Sequence, residues 1–163
     1  MTRYLERNKD DIEKEDLLEA AVSLARALLH LEENNIVHSN IRLRNVLVSS
    51  HDNGLQVKLS DPGLPDYNVQ EEVHWLSFEL LCDSCPTPSK CTKKGDVWAF
   101  ATTLWELFSY GGSPPQLNHV FAKEQYLSGH RLPMPSSLQV RNSVLPEHFL
   151  KNRHFFVKSR HIC

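Results

Sequence analysis

The feature that most constrains this chain is a polar loop joined by a short hairpin pattern to a tight turn. The loop covers residues 36–45, with the sequence IVHSNIRLRN, and the turn is the Asp-Pro-Gly of residues 61–63. Two β-prone runs, 46–48 and 55–59, lie between them and flank residues 51–54. That connection contains Asn-Gly, whose tolerance of positive φ is typical of a hairpin turn. A hairpin here would bring the end of the loop and the turn to the same side of two paired strands.

Helical periodicity accounts for most of the remaining chain. Apolar residues over 15–33 recur at the spacing of one broad helix face, which predicts an amphipathic helix with that face buried. Residues 96–109 are apolar nearly all round and predict a fully buried helix. Residues 117–127 fit one more amphipathic helix, and the charged residues 1–14 indicate the end of an exposed helix and a linker. We therefore predict a mainly α-helical fold with one small β-hairpin.

The overall composition excludes several classes of protein. A net charge of −2 gives no general attraction to nucleic acid or anionic lipid, so no nucleic-acid partner is expected. No apolar run approaches the ~18 residues that cross a membrane, so no transmembrane segment is expected. The first residues also carry no apolar signal core, and the expected location is cytoplasmic.

Residues 141–163 differ from the rest of the chain because cations dominate them. Five Arg and Lys residues oppose Glu147 alone. A solvated, poorly ordered tail is the expected structure, and a phosphate-binding patch is the alternative.

Three of the four cysteines, Cys82, Cys85 and Cys91, lie close together in the sequence. A C-x-x-C pair can hold zinc, but a structural site requires four ligands, and no second pair follows at the usual spacing. We expect reduced thiols in a polar loop, with a small zinc-bearing scaffold as the alternative.

The loop and turn resemble the H-R-D-L-x-x-x-N catalytic loop and the D-F-G turn of protein kinases. His38, Asn45, Asp61 and Gly63 keep the places of that pattern, and Asn40 stands where the kinase has its catalytic Asp. By this resemblance Asn45, Asp61 and Gly63 are cofactor-binding residues, and Asn45 and Asp61 would hold Mg with ATP in a complete domain. An amide cannot accept a proton at neutral pH, so no catalytic residue is expected to be active. The alternative is that these Asn and Asp residues only shape turns.

Further residues are similar to the tyrosine-specific branch of the family. Arg44 before Asn45 is similar to A-A-R-N, and residues 103–109 resemble the buried helix of tyrosine kinases. Within that branch the chain most resembles the pseudokinase domain of Janus kinases. The residues that carry this are Leu31-Glu32-Glu33-Asn34, Asn40, and the run from Lys58 to Gly63.

The resemblance also implies structural roles. Asp96, which opens the helix that continues with Trp98, would be buried and bind the backbone near His38 and Ser39. Ser39 replaces the Arg that usually contacts an activation-loop phosphate, and Glu79 would pair with an Arg late in the lobe.

The resemblance covers only the larger lobe of a kinase and is incomplete at both ends. The 163 residues contain neither a G-x-G-x-x-G loop nor a V-A-I-K lysine, and the closing W-x-x-x-P-x-x-R-P pattern is absent after Ser137. The expected division is a partial pseudokinase-like large lobe over 1–137 and a divergent basic tail over 138–163. A partial product, a splice form or a faulty gene model would each explain this.

The function implied is that of a regulatory, non-catalytic segment of a Janus-type non-receptor tyrosine kinase. It would act in cytokine-receptor, or JAK-STAT, signalling with an adjoining tyrosine kinase domain and a receptor complex as partners. The location expected is cytoplasmic, and association with a membrane through the receptor is compatible with it. The alternative is part of an active tyrosine kinase whose small lobe lies outside these residues. ATP and Mg are expected in a complete domain, and no cofactor is expected for the 163 residues alone.

Overall fold

The computed structural model describes residues 1–50, 55–63, 72–83 and 90–138, and these residues are mainly helical. The helices are α1 (Thr2–Arg7), α2 (Lys14–Glu33), α3 (Phe78–Leu81), α4 (Lys93–Phe108) and α5 (His119–Leu127). The strands are β1 (Val46–Ser50) and β2 (Gln56–Leu59), and 3-10 turns cover Leu43–Asn45 and Ser136–Leu138. The predicted fold class, helical with one small hairpin, is confirmed. No helix within these ranges is long and apolar enough to cross a membrane.

The helices begin where polar side chains accept the first backbone N–H groups. Thr92 accepts the N–H of Gly95 at 3.1 Å, so α4 begins at Lys93, before the predicted start at Asp96. Asn118 accepts the N–H of Val120 at 2.9 Å, and α5 begins immediately after it. The end of α2 agrees with the sequence, because Asn35 follows it in a left-handed conformation with φ 58°.

The two strands pair antiparallel, as predicted, with Val46 opposite Leu59 and Val48 opposite Val57. The pairing becomes irregular between Val48 and Ser50, and the predicted Asn-Gly turn over 51–54 lies outside the described residues. Val46 and Val57 are buried, so one face of the hairpin packs into the core. The hairpin therefore places the end of the loop at 45 beside the turn at 61.

The main core lies between α1, α2, the hairpin and α4. It includes Leu5, Leu17, Leu24, Val46 and Leu107, each at most 2% exposed. A second cluster joins Val73 and Leu117 to α5. The expectation that residues 1–14 are an exposed helix and linker is therefore wrong for Leu5, which is completely buried.

The predicted burial of α2 and α4 is also wrong in part. On α2, Leu18 is 50% exposed and Leu29 is 53% exposed, whereas Leu17 is completely buried. On α4, Val97 is 56% exposed. The cause is that α2 packs against β2 and α4 along one side only, so the far side of its broad apolar face remains uncovered by the described residues.

Candidate functional site

The loop predicted to be functional is anchored by Asp96, in the first turn of α4. Its carboxylate accepts the N–H of His38 at 2.6 Å and the N–H of Ser39 at 2.9 Å. Asp96 is only 3% exposed, and a buried carboxylate is tolerated when it is hydrogen-bonded. Ser39 has a positive φ of 66°, so the two N–H groups converge on one side chain through a strained turn.

Asn40 is buried, and both ends of its amide are engaged. Its Nδ2 donates to the carbonyl oxygens of Asp61 at 2.9 Å and Gly63 at 3.2 Å. Its Oδ1 accepts from Nε of Arg42 at 3.0 Å. Two carbonyl acceptors require a donor, so these partners define the orientation of the amide. Asn40, which stands where the kinase pattern has its catalytic Asp, therefore links the loop to the turn by hydrogen bonds.

The hydroxyl of Ser60 connects Asn45 and Asp61. The hydroxyl of Ser60 lies 2.8 Å from the carbonyl oxygen of Asn45 and 3.1 Å from the Asp61 carboxylate. The N–H of Gly63 donates to the carbonyl of His38 at 2.7 Å, which closes the turn onto the loop. The structure thus places the backbone carbonyl of Asn45, the carboxylate of Asp61 and the N–H of Gly63 in contacts that join the loop and the turn, and Asp61 is exposed.

Asn45 and Asp61 carry the amide and carboxylate oxygens that a magnesium ion shared with phosphates would use. Nδ2 of Asn45 donates to the carbonyl of Asn40 at 2.9 Å, which leaves its Oδ1 available as an oxygen ligand. Mg²⁺ is usually held by one or two carboxylates together with water and phosphate oxygens. No group of three or more His, Cys, Asp or Glu side chains arranged to hold a metal ion occurs within the described residues. Asn45 and Asp61 would therefore be ligands in a site that phosphates complete.

A buried ion pair beside the loop was not predicted. A guanidinium nitrogen of Arg42 lies 2.7 Å from Oε1 of Glu72, and both side chains are buried. Arg44, whose side chain is 58% exposed, contacts the same oxygen at 3.4 Å. Arg42 also lies over the ring of Trp75, 5.5 Å from its centroid. Residues 64–74 are largely polar in sequence, and no local pattern indicates that Glu72 is buried.

Glu106 of α4 lies beside the loop and the Arg42–Glu72 ion pair. It accepts the N–H of Leu43 at 3.1 Å and the indole N–H of Trp75 at 3.2 Å. Burial raises the pKa of Glu106 to about 7, although these hydrogen bonds and the nearby Arg42 and Arg44 act to lower it. The sequence of α4 is nearly all apolar and does not indicate that Glu106 belongs to the site. Its partners, Leu43 and Trp75, come from distant parts of the chain.

Among the described residues, His38 and His74 are buried, and each contacts other groups of the protein. Burial lowers the pKa of His38, which favours the neutral ring, and its Nδ1 accepts the N–H of Asn40 at 3.2 Å. Burial likewise lowers the pKa of His74. His74 contacts the carbonyl of Pro115 at 2.7 Å and the hydroxyl of Tyr126 at 3.1 Å.

The remaining predicted residues lie away from the loop. Trp98 donates its indole N–H to the carbonyl of His74 at 3.0 Å. Glu79 is exposed, and no cation of the described residues lies within ion-pair distance of it. Cys82 is exposed and Cys91 is half-buried. Cys85 lies outside the described ranges, so the three cysteines of the zinc alternative are not seen together.

Comparison with known proteins gives a match over most of the chain. A family model described as protein tyrosine and serine/threonine kinase matches residues 1–146. The chain is 33% identical over 125 residues to the receptor tyrosine-protein kinase erbB-4 of Homo sapiens, covering 70% of this chain and 9% of that protein. It is 34% identical over 148 residues to the epidermal growth factor receptor of Apis mellifera, covering 82% of this chain and 11% of that receptor.

These matches bear on the predicted subfamily and boundaries. The chain spans about a tenth of the length of the curated relatives it matches. The erbB-4 relatives are named receptor tyrosine-protein kinases, so they support the tyrosine-kinase branch, and none of these relatives bears out the Janus-type resemblance. The family match continues past Ser137 to residue 146, and the boundary between lobe and tail remains a prediction.

Proposed function

Because the chain belongs to the protein tyrosine and serine/threonine kinase family, we propose that it forms a non-catalytic, regulatory part of a tyrosine kinase. The observation that carries the proposal is the environment of Asn40. In kinases the residue at this place accepts the proton of the substrate hydroxyl. The Asn40 amide has no basic oxygen to offer at neutral pH, and its two donor contacts go to the carbonyls of Asp61 and Gly63. Asn40 therefore stabilises the loop without supplying the base.

The proposal extends to nucleotide. Members of the kinase family generally use ATP and Mg. Such a metal would offset the negative charge of the phosphates. Within this chain Oδ1 of Asn45 and the carboxylate of Asp61 would hold the metal, and the contact from Gly63 to His38 would keep the turn in place. The 163 residues include no Gly-rich loop and no V-A-I-K lysine, so we expect negligible ATP binding by them alone.

A finer proposal concerns the type of kinase and its partners. Asn40 together with Asp61-Pro62-Gly63 supports a Janus-type pseudokinase segment, with an adjoining tyrosine kinase domain and a cytokine-receptor complex as partners. We would place it in the cytoplasm, next to a receptor. The second candidate, part of an active tyrosine kinase, is favoured by the identity to receptor tyrosine kinases. A sequenced full-length transcript separates the two, because the first requires a second kinase domain with an intact H-R-D.

The direct test is transfer of labelled phosphate from ATP to a tyrosine-containing peptide by the full 163-residue chain. We expect no transfer above background. Transfer above background that is abolished by Asp61→Ala would contradict the proposal, because it would show turnover through the retained carboxylate.

Nucleotide binding is tested separately by thermal shift with ATP and Mg. We expect no rise in melting temperature for the 163 residues and a rise for a complete domain, since a ligand that binds the folded state stabilises it. Asp61→Ala in the complete domain is the matched control and should remove the rise. A metal-dependent rise in the 163-residue chain would contradict the first expectation.

A further inference from the structure

One side of α2 presents apolar side chains that the described residues leave uncovered. Leu18, Val22, Ala25 and Leu29, here called the α2 stripe, are all exposed, with exposed fractions of 50% for Leu18, 48% for Val22 and 53% for Leu29. Their spacing of four, three and four residues places them on one face of the helix. The stripe extends for roughly 16 Å at 1.5 Å per residue. It lies away from the core-facing side of α2, on which Leu17, Ala20 and Leu24 are buried.

The stripe continues into a groove between α2 and the start of α4. This groove has a volume of about 260 Å³ and is lined by Leu28, Leu29, Ile36 and Val97, among others. Ile36 is 46% exposed and Val97 is 56% exposed. Scattered apolar residues on a surface need no explanation, but a continuous apolar patch generally marks a surface that another segment covers.

Acidic side chains border the α2 stripe. Glu15, Glu19, Glu32 and Glu33 are all exposed, and each lies three or four residues from a member of the stripe. Arg26 and Lys94 are exposed cations beside them. Lys93, at the groove, donates to the carbonyl of Glu32 at 3.0 Å and to the amide oxygen of Asn35 at 2.8 Å. An apolar segment that also carries positive charge would complement this border.

The end of the described chain lies beside the last residue of α4 and the core, whereas the groove lies at the start of α4. The hydroxyl of Ser137 donates to the carbonyl of Phe108, the last residue of α4. Leu138 packs against the core that contains Leu17 and Leu24 of α2. The following 25 residues, 139–163, could span ~37 Å even if wholly helical, which is more than the ~30 Å length of α2. They combine five cations with apolar residues, the largest being Leu145, Phe149, Leu150, Phe155, Phe156 and Ile162.

We propose that residues 139–163 pack against the α2 stripe of the same chain, with their apolar side chains on the stripe and their cations against its acidic border. The occupant is inferred from charge complementarity, from its apolar content and from its length, which is enough to reach along α2. The proposal concerns a contact within the chain and is independent of catalysis. It differs from the sequence-based expectation of a solvated tail, and the two are separable by experiment.

The first test is carbodiimide cross-linking of the full chain, which joins lysine amines to nearby carboxylates. We expect links from Lys151 or Lys158 to Glu15, Glu19, Glu32 or Glu33, and within one chain when heavy- and light-isotope chains are mixed. Glu124, which is exposed on α5, is the control acid and should not be favoured. Links that join only different chains would show that a second copy covers the stripe. Links spread evenly over Glu124 and α2 would show a solvated tail, and either result overturns the proposal.

The second test is hydrogen exchange of the α2 amides in full-chain variants. The double variant Phe149→Ser and Phe156→Ser should lose protection over residues 14–33, because it removes the apolar contacts of the tail. The control is Val120→Ser with Phe121→Ser, since these side chains of α5 are already 64% and 52% exposed. The control should exchange like the original chain over α2. Unchanged exchange of α2 in the tail variant would overturn the proposal without requiring any change in the described core.

Discussion

The loop around Asn40 and the α2 stripe differ in which residue types they bury. In the loop, polar side chains are buried, with Asp96 at 3% and Asn40 at 5% exposure. In the stripe, apolar side chains are exposed, with Leu18 and Leu29 each about half accessible. Residue type therefore predicts burial poorly in both regions.

The difference lies in the partners that each region has. Each buried polar group of the loop meets a complementary atom, so its desolvation is compensated. The stripe lacks a covering element among the described residues, although its composition favours burial. The contacts of the loop hold its polar side chains in place, whereas an uncovered apolar face indicates a contact still to be found.

The largest expected effect comes from removing the anchor of the loop. Asp96→Ala should lower the free energy of unfolding by roughly 2–5 kcal/mol, since the buried N–H of His38 and the partly buried N–H of Ser39 lose their acceptor, at about 1–3 kcal/mol for a buried group. Urea denaturation measures the change. Asp10→Ala is the control, because Asp10 is exposed, and it should stay within about 0.5 kcal/mol. Equal stability of Asp96→Ala and the control would show that the loop does not depend on this carboxylate.

The second prediction compares two adjacent leucines of α2. Leu17→Ala should cost about 2–5 kcal/mol, because Leu17 is completely buried and its removal leaves a cavity. Leu18→Ala should cost less, about 1–2 kcal/mol, because the described residues cover only half of that side chain and the rest is left to the proposed contact with residues 139–163. Denaturation of both variants under the same conditions tests the contrast between core and stripe. A cost for Leu18→Ala as large as that for Leu17→Ala would mean that the stripe is as deeply buried as the core.

The third prediction concerns pH and Glu106. The pKa of Glu106 is about 7 in the folded chain and ordinarily 4.5, so the folded state binds more protons between these values. Its stabilising contribution is fully present below pH 4.5 and is lost as the pH rises through 7. The lowered pKa of His38 acts the other way, since its contribution is present above pH 6.5 and is lost at lower pH.

Glu106→Gln isolates the contribution of this carboxyl, because the amide oxygen can still accept from Leu43 and Trp75. Between pH 4.5 and 7, the original chain should lose up to ~3 kcal/mol relative to the variant, at 1.36 kcal/mol per pKa unit. Unfolding free energies measured at intervals across this range give the difference. Parallel pH profiles for the two chains would contradict the raised pKa.

Much of the architecture follows from local patterns. The hairpin comes from two β-prone runs and the end of α2 from Asn34-Asn35, and both are present in the structure. The start of α4 was placed too late because its cap, Thr92, lies in a polar stretch that resembled a loop. Local patterns indicate which segments are regular more reliably than where they begin.

The sequence indicated which residues lie together in the site only where those residues belong to a complete motif. Spacing along the chain and the kinase resemblance indicated that Asn45 and Asp61 lie together. The partnership of Arg42 with Glu72, and the burial of Glu106, depend on residues far apart in sequence, so periodicity carries no signal for them. The exposure of Leu18 depends on which neighbours α2 has, and that also lies outside the pattern of α2 itself.

The central claim is that Asn40 is a structural amide, and the stability of Asn40→Asp tests it most directly. An aspartate would keep an acceptor for Arg42 but would place its second oxygen against the carbonyls of Asp61 and Gly63, which now receive N–H donors at 2.9 and 3.2 Å. Urea denaturation at pH 7 should therefore show a loss of about 1–3 kcal/mol in the free energy of unfolding. A variant as stable as the original chain, or more stable, would contradict the claim.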